Sequence, residues 1–311
     1  MKHPERRQFG GTGVSVGVLG YGGMELRGPN HPSPITGRSR AIAPEQVKAL
    51  LNNVLDGGIN FIDTSIDYGI SEELIGTYIS TRREEYFLAS KCGCLVDAPA
   101  PTALGQRPPH DFSRGNIRHG VESSLKRLKT DYLDLVQFHA SPSKDTLETN
   151  DSIQELLDLK QEGKLKFIGM SSTLPNLKDH IDMGVFDSFQ IPYSALERDH
   201  EDLIKEAELS GAGIIIRGGV AKGDPNEGGH GGNSWDRWLG ANIDELLEGL
   251  TRTQFLLRFT ISHPHMHTTI VGTANPDHLS DNIETAAMGP LPSDLYEETK
   301  RRLGAAGILP A

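Results

Sequence analysis

Asp63 and Tyr68 stand five positions apart in NFIDTSIDYGISEELIG (residues 60–76), Lys91 closes the run YFLASK, and His139 closes YLDLVQFH. A carboxylate, a phenol, an ammonium and an imidazole at one place form a proton-transfer set. The carboxylate keeps the ammonium charged. The cation is expected to favour the phenolate, lowering a phenol pKa that starts at about 10. The imidazole adds a hydrogen bond that orients a polar substrate oxygen, so the set suits general acid–base work on a small oxygenated molecule. Taken singly, Asp63 reads as a turn cap, Tyr68 as a half-buried packing residue and Lys91 as a snorkelling strand-end cation. Their common position, at or just beyond the ends of strands, is what joins them.

One pattern recurs along the chain: a short β-branched or apolar run, a polar loop, then a helix with apolar residues every three or four positions. In APEQVKALLNNVLDGGIN, Val47, Leu50, Leu51, Val54 and Leu55 share a face, and Gly57 and Gly58 end the helix. In SRGNIRHGVESSLKRLKTDYLDLVQFHA, Ile117, Val121, Leu125 and Leu128 make the stripe that precedes a strand. Candidate strands are VGVLG, INFID, YFLAS, YLDLVQF, KFIGMS, DSFQI, GIIIR and TTIVG, eight in all. No compositional shift marks a linker, which favours one (β/α)8 TIM barrel over residues 1–311 rather than a doubly wound sheet. Such a barrel aims its strand ends at a shared C-terminal mouth. Two long loops, 96–112 and 221–240, follow the third and seventh strands and are expected on that face; the plainer reading is tolerated surface insertion. They carry His110, Trp235 and Trp238, which either wall a pocket or staple the loops down.

Composition narrows the partners. The net charge of −11 argues against nucleic acid, and no apolar run approaches the ~18 residues of a membrane helix. The N-terminal MKHPERRQFG is charged and lacks a secretory apolar segment, so a cytoplasmic protein is expected. The two cysteines, Cys92 and Cys94 in KCGC, read as reduced thiols, since C-x-C lacks the spacing of usual zinc or redox motifs. His263, His265 and His267 alternate in SHPHMHTT, which would put them on one face if extended. They precede the eighth strand, at the barrel bottom, where an exposed polar loop is expected; no metal is expected.

The tetrad and its flanks together resemble the aldo-keto reductase superfamily. NFIDTSIDYGISEELIG is similar to the family's D-T-A-x-x-Y-G-x-S-E-x-x-I-G, SLKRLKTDYLDLVQFH to S-L-x-R-L-x-x-D-Y-x-D-L-x-x-x-H, and IGMSS to I-G-x-S-N. The resemblance covers nearly the whole chain. It implies hydride transfer between a nicotinamide cofactor and an aldehyde or ketone, or the matching alcohol or sugar, with Tyr68 as general acid/base supported by Asp63, Lys91 and His139. It also implies that Ser171, Ser172 and Gln190 meet the nicotinamide carboxamide, with Ser172 where an asparagine is usual. Arg217 falls where many members stack an aromatic. Gly272, Thr273, His278 and Asn282 lie on the cofactor motif after the eighth strand, whose helix N-terminus can receive a phosphate. The implied coenzyme is NADPH, with NADH as the alternative, because Gly272 and His278 replace a lysine and an arginine used by several reductases. Barrels of this superfamily also serve as accessory subunits of channels, so a catalytically weak cofactor-binding regulatory subunit is the rival reading. Neither the natural substrate nor the oligomeric state is legible in these letters.

Overall fold

Strands buried along their whole length need cover on both faces, which a barrel supplies with side chains inside and helices outside. Phe87–Cys92, Leu133–Phe138 and Ser188–Pro192 are of this kind. The computed structural model describes residues 3–32, 37, 39, 41–96, 109–223 and 234–311. Its strands are β1 (Arg6–Gln8), β2 (Ser15–Gly17), β3 (Leu19–Gly22), β4 (Phe61–Asp63), β5 (Phe87–Cys92), β6 (Leu133–Phe138), β7 (Leu165–Ser171), β8 (Ser188–Pro192), β9 (Gly213–Arg217) and β10 (Thr268–Val271). The last eight are parallel and close into a barrel in the order β10-β3-β4-β5-β6-β7-β8-β9. The (β/α)8 expectation is met.

Helices form where the apolar stripes lie. Pro44–Asp56 buries Val47, Leu50, Leu51, Val54 and Leu55, begins with Pro at its first position and ends at Gly57. Gly58 follows at φ +87°, a conformation that L side chains rarely adopt. Helix Arg114–Leu128 buries Ile117, Val121 and Leu128 and is capped by the Ser113 side chain. Among the described residues no helix is long and apolar enough to cross a membrane.

The run VGVLG does not form a single strand. Val16 and Gly17 belong to β2, which pairs antiparallel with β1, whereas Leu19 and Gly20 belong to β3 of the barrel. Asn60 holds the corner between them, accepting from the Gly17 amide at 2.7 Å and donating to the Ser15 carbonyl at 2.9 Å. The β1–β2 hairpin delivers Phe9 into the N-terminal end of the barrel. There its ring lies 5.7 Å from Phe61 and 5.5 Å from Phe87, in a cluster with Val16, Ala89, Leu135 and Ile215. A Cβ at Gly213 would stand 2.6 Å from this ring, so the plug needs glycine there.

The histidine run at the same end differs from expectation. His263 and His267 are buried, not exposed, because each is absorbed by packing: the His267 Nδ1 accepts from the Ile214 amide at 2.9 Å, and His263 meets Tyr193 edge-on at 4.9 Å. Residues 97–108 and 224–233 of the two long loops lie outside the described residues. Of the loop aromatics, Trp238 is fully buried, donates from Nε1 to Asp244 at 2.8 Å and stands edge-on to Phe255, which is a stapling role.

Phe9 fills the barrel end opposite the mouth, so Phe9→Ala is expected to cost about 3–5 kcal/mol in urea unfolding. A cost below about 1 kcal/mol would mean that the ring is not part of the core.

Candidate active site

Side chains two apart on a strand share a face, so each inward-facing apolar residue of the barrel predicts the next one up. Phe61 is followed by Asp63, Ala89 by Lys91, Leu135 by Gln137 and Ile215 by Arg217. The interior is therefore apolar in its lower layers and polar at its crown. At that crown Lys91 Nζ donates to Asp63 Oδ2 at 2.6 Å and to the Thr64 carbonyl at 2.9 Å. The other carboxylate oxygen accepts from Gln137 Nε2 and Gln190 Nε2, each at 2.9 Å. Both charged side chains are almost wholly buried, 0% and 1% exposed. Burial, the largest single effect, would lower the Lys91 pKa, but the charge and hydrogen bond of Asp63 together with Tyr68 and Asp67 more than reverse this and hold it above the ordinary lysine value.

Tyr68 arrives on the loop between β4 and helix Ser71–Tyr78. Its amide donates to the Ser65 carbonyl at 3.1 Å and its carbonyl accepts from the Ser71 amide at 3.0 Å. Arg27 braces the loop with two N–H groups on the Asp67 carbonyl, at 3.1 and 3.0 Å. Lys91 Nζ lies 4.8 Å from the Tyr68 ring centroid, and the His139 ring stands edge-on to Tyr68 at 6.2 Å. The four residues singled out in the sequence are thus brought together.

The acidity of Tyr68 is a correction. Its pKa is pushed up to about 12, not down, because burial outweighs the lowering by Lys91 while Asp63 and Asp67 raise it further. The phenol stays protonated at neutral pH. His139 follows β6 directly, and the chain leaves it through Ala140 and Ser141, both left-handed at φ 62° and 52°. Ser141 holds this turn: its Oγ accepts from the Thr173 amide at 3.1 Å and its carbonyl from Asn176 Nδ2 at 2.8 Å. Burial pushes the His139 imidazole down to about 3, with Asp67 only partly opposing it, so the ring is neutral at pH 7. Its Nδ1 is 3.1 Å from Cys94 Sγ and 3.6 Å from Asp67 Oδ1.

The remaining residues named from sequence run round the mouth from β7 to β10. Ser171 ends β7 and its hydroxyl is 3.5 Å from Gln190 Oε1. Ser172 is fully buried and its hydroxyl donates to His180 Nδ1 at 2.7 Å, since His180 Nε2 donates to the Pro142 carbonyl at 2.7 Å. Arg217 ends β9. Beyond β10, a Cβ at Gly272 would stand 2.8 Å from the Gly22 carbonyl oxygen, so the exits of β3 and β10 approach closely. The Thr273 carbonyl accepts from the Tyr21 hydroxyl at 2.8 Å, and Asn275 caps helix Pro276–Ala287. On that helix His278 is exposed in the first turn and Asn282 is buried one turn on.

Gln137, Cys94, Asp67 and Arg27 also shape the site and were not singled out for it. Gln137 could have been found, being two residues before His139 on an inward-facing strand. The other three act through loop geometry that no periodicity encodes.

A family model described as the aldo/keto reductase family matches residues 18–301. The uncharacterized oxidoreductase YqkF of Bacillus subtilis (strain 168) is 27% identical, covering 90% of each chain. The L-galactose dehydrogenase of Arabidopsis thaliana is 26% identical, covering 90% of this chain and 87% of that one. Among solved structures, the holo form of the aldo-keto reductase AKR11C1 from Bacillus halodurans superposes with a TM-score of 0.80 at 26% identity over 96% of both chains.

Removing Lys91 would strand the Asp63 carboxylate in the barrel. Lys91→Met is expected to lower stability by about 3–5 kcal/mol in urea unfolding, and the added change Asp63→Asn to recover most of it. A single mutant as stable as the wild type would show that the pair is not ionised.

Proposed function

Because the chain belongs to the aldo/keto reductase family, we propose that it is an oxidoreductase that moves hydride between a nicotinamide coenzyme and an aldehyde or ketone, or the matching alcohol or sugar, with Tyr68 as general acid/base. The observation that carries this reading is a protonated phenol beside an ammonium and a neutral imidazole at one barrel mouth.

The residues around β7–β10 fit such a coenzyme. An amide needs one donor and one acceptor, and the Ser171 hydroxyl with Gln190 Oε1 offers both, since the 3.5 Å separation of those two atoms leaves each open to a better partner. Thr273 and Asn282 stand at the entrance and first turns of helix Pro276–Ala287, whose amide end favours an anion. The proposed coenzyme is NADPH, on the family resemblance. Gly272 and His278 supply neither the ammonium nor the guanidinium that best grips a 2'-phosphate, so its advantage over NADH is small. Arg217 supplies a planar cation at the same rim.

The bound coenzyme supplies the hydride. This chain's part is to manage the charge that appears on the carbonyl oxygen. Tyr68 donates its hydroxyl proton to that oxygen, and the neighbouring Lys91 ammonium stabilises the phenolate left behind. Asp63, itself held by Gln137 and Gln190, and the Thr64 carbonyl fix the ammonium in place, so little reorganisation accompanies the transfer. Neutral His139 presents a ring nitrogen toward the same oxygen and orients it without adding a charge. In the reverse direction the phenolate is the base.

The direction of the Tyr68 shift sets the pH dependence. Reduction uses the protonated phenol, which is present well below about 12, so its kcat/KM is expected to be flat from about pH 6 to 9. Oxidation uses the phenolate and is expected to rise about tenfold per pH unit over the same span. Tyr68→Phe should lower turnover by at least ~10²-fold on a panel of aldehydes, ketones and sugars while coenzyme binding by fluorescence titration hardly changes. Wild-type turnover in Tyr68→Phe would remove this residue from the mechanism.

A further inference from the structure

We propose that Cys94, His110 and His139 form a binding site for a zinc-type divalent cation at the rim of the barrel mouth. Cys94 Sγ and one ring nitrogen from each of His110 and His139 all lie within 4.8 Å of one another. The two sulfur–nitrogen separations are 3.1 Å to His139 and 3.7 Å to His110. Round a tetrahedral zinc, bonds of about 2.3 Å to sulfur and 2.0 Å to nitrogen set such separations at about 3.5 Å. Ligand nitrogens belong about 3.3 Å apart, so His110 has at most about 1.5 Å to close.

Backbone pairing holds the donors in this arrangement. Cys94 and His110 face each other across an antiparallel bridge, flanked by the Leu95 amide on the Pro109 carbonyl at 3.2 Å and the Asp111 amide on the Gly93 carbonyl at 2.8 Å. Asn116 Nδ2 ties the two segments together, donating to the Cys94 carbonyl at 3.2 Å and the Asp111 carbonyl at 2.7 Å. Gly93, at φ +87°, lets Phe112 pack where a Cβ would stand 2.3 Å from its ring, and Phe112 in turn stacks on His110. The third donor, His139, sits between β6 and the left-handed pair Ala140 and Ser141, its amide donating to the Cys92 carbonyl at 3.1 Å. The donors are thus held in place by contacts that do not involve an ion.

The donor chemistry selects the metal class. One thiolate and two imidazoles suit zinc and its cobalt surrogate, whereas magnesium and calcium demand oxygen. On binding, the Cys94 thiol releases its proton to solvent and the neutral imidazoles keep theirs on the opposite nitrogen. Asp67, 3.6 Å from His139 Nδ1, adds an anionic neighbour, and the fourth position remains for water. A cation on Nδ1 fixes the His139 proton on Nε2, which links occupancy to the residue facing Tyr68. The hydride transfer proposed above does not require the ion.

The test is cobalt(II) titration of tag-free, chelator-treated full-length protein, with displacement by zinc. The expected result is one ion per chain, with a near-ultraviolet thiolate-to-cobalt absorption band that zinc abolishes. Cys94→Ser should lose the band, His110→Ala should weaken binding at least about tenfold, and Cys92→Ala, which alters a thiol outside the cluster, should keep both. Circular dichroism establishes that each variant is folded, and a misfolded Cys94→Ser leaves the decision to His110→Ala. No thiolate band in the wild type, or one that persists undiminished in folded Cys94→Ser or His110→Ala, would overturn the site. Since binding is read without turnover, failure here and failure of the oxidoreductase reading are separate results.

Discussion

An ammonium and a carboxylate 2.6 Å apart, both out of reach of water, are the interaction on which the mouth of this barrel depends. Neither charge could be kept there alone, because burying an uncompensated ion costs several kcal/mol. The pair is held because its remaining lone pairs and protons are also used: Thr64 takes a second proton of Lys91, and Gln137 and Gln190 donate to the carboxylate oxygen that Lys91 leaves. Four strands and one loop thereby share one polar knot. Tyr68 rests against it at a distance where the cation is felt but does not dominate.

That balance gives the phenol its character. Burial and two carboxylates raise its pKa while one ammonium lowers it, and burial is the larger effect. The result is a reluctant acid, suited to release its proton only to an oxygen that is itself becoming strongly basic. A neutral His139 is consistent with this, since a second cation beside Lys91 would add repulsion to a site already short of solvent.

Much of this was legible in the letters because strands obey a period of two and helices one near four. The eight runs, the single barrel and the position of Asp63, Lys91 and His139 at or near strand ends follow from those periods together with the barrel rule. The division of VGVLG was not legible, because Asn60, more than forty residues away, makes the corner. Nor was the sign of the Tyr68 shift, which depends on how deeply the loop is covered. The histidines of SHPHMHTT look like a solvated loop until the packing of Tyr193 and the amide of Ile214 absorb two of them. Cys94 and His110 are sixteen residues apart in sequence and are adjacent only because the two ends of a long loop pair with each other.

The most direct measurement of the central claim is nitrogen NMR of the Lys91 side chain across a pH titration. An ionised buried pair predicts an ammonium that keeps its proton beyond pH 10 and exchanges slowly with solvent. Deprotonation of Lys91 below about pH 9 would contradict it.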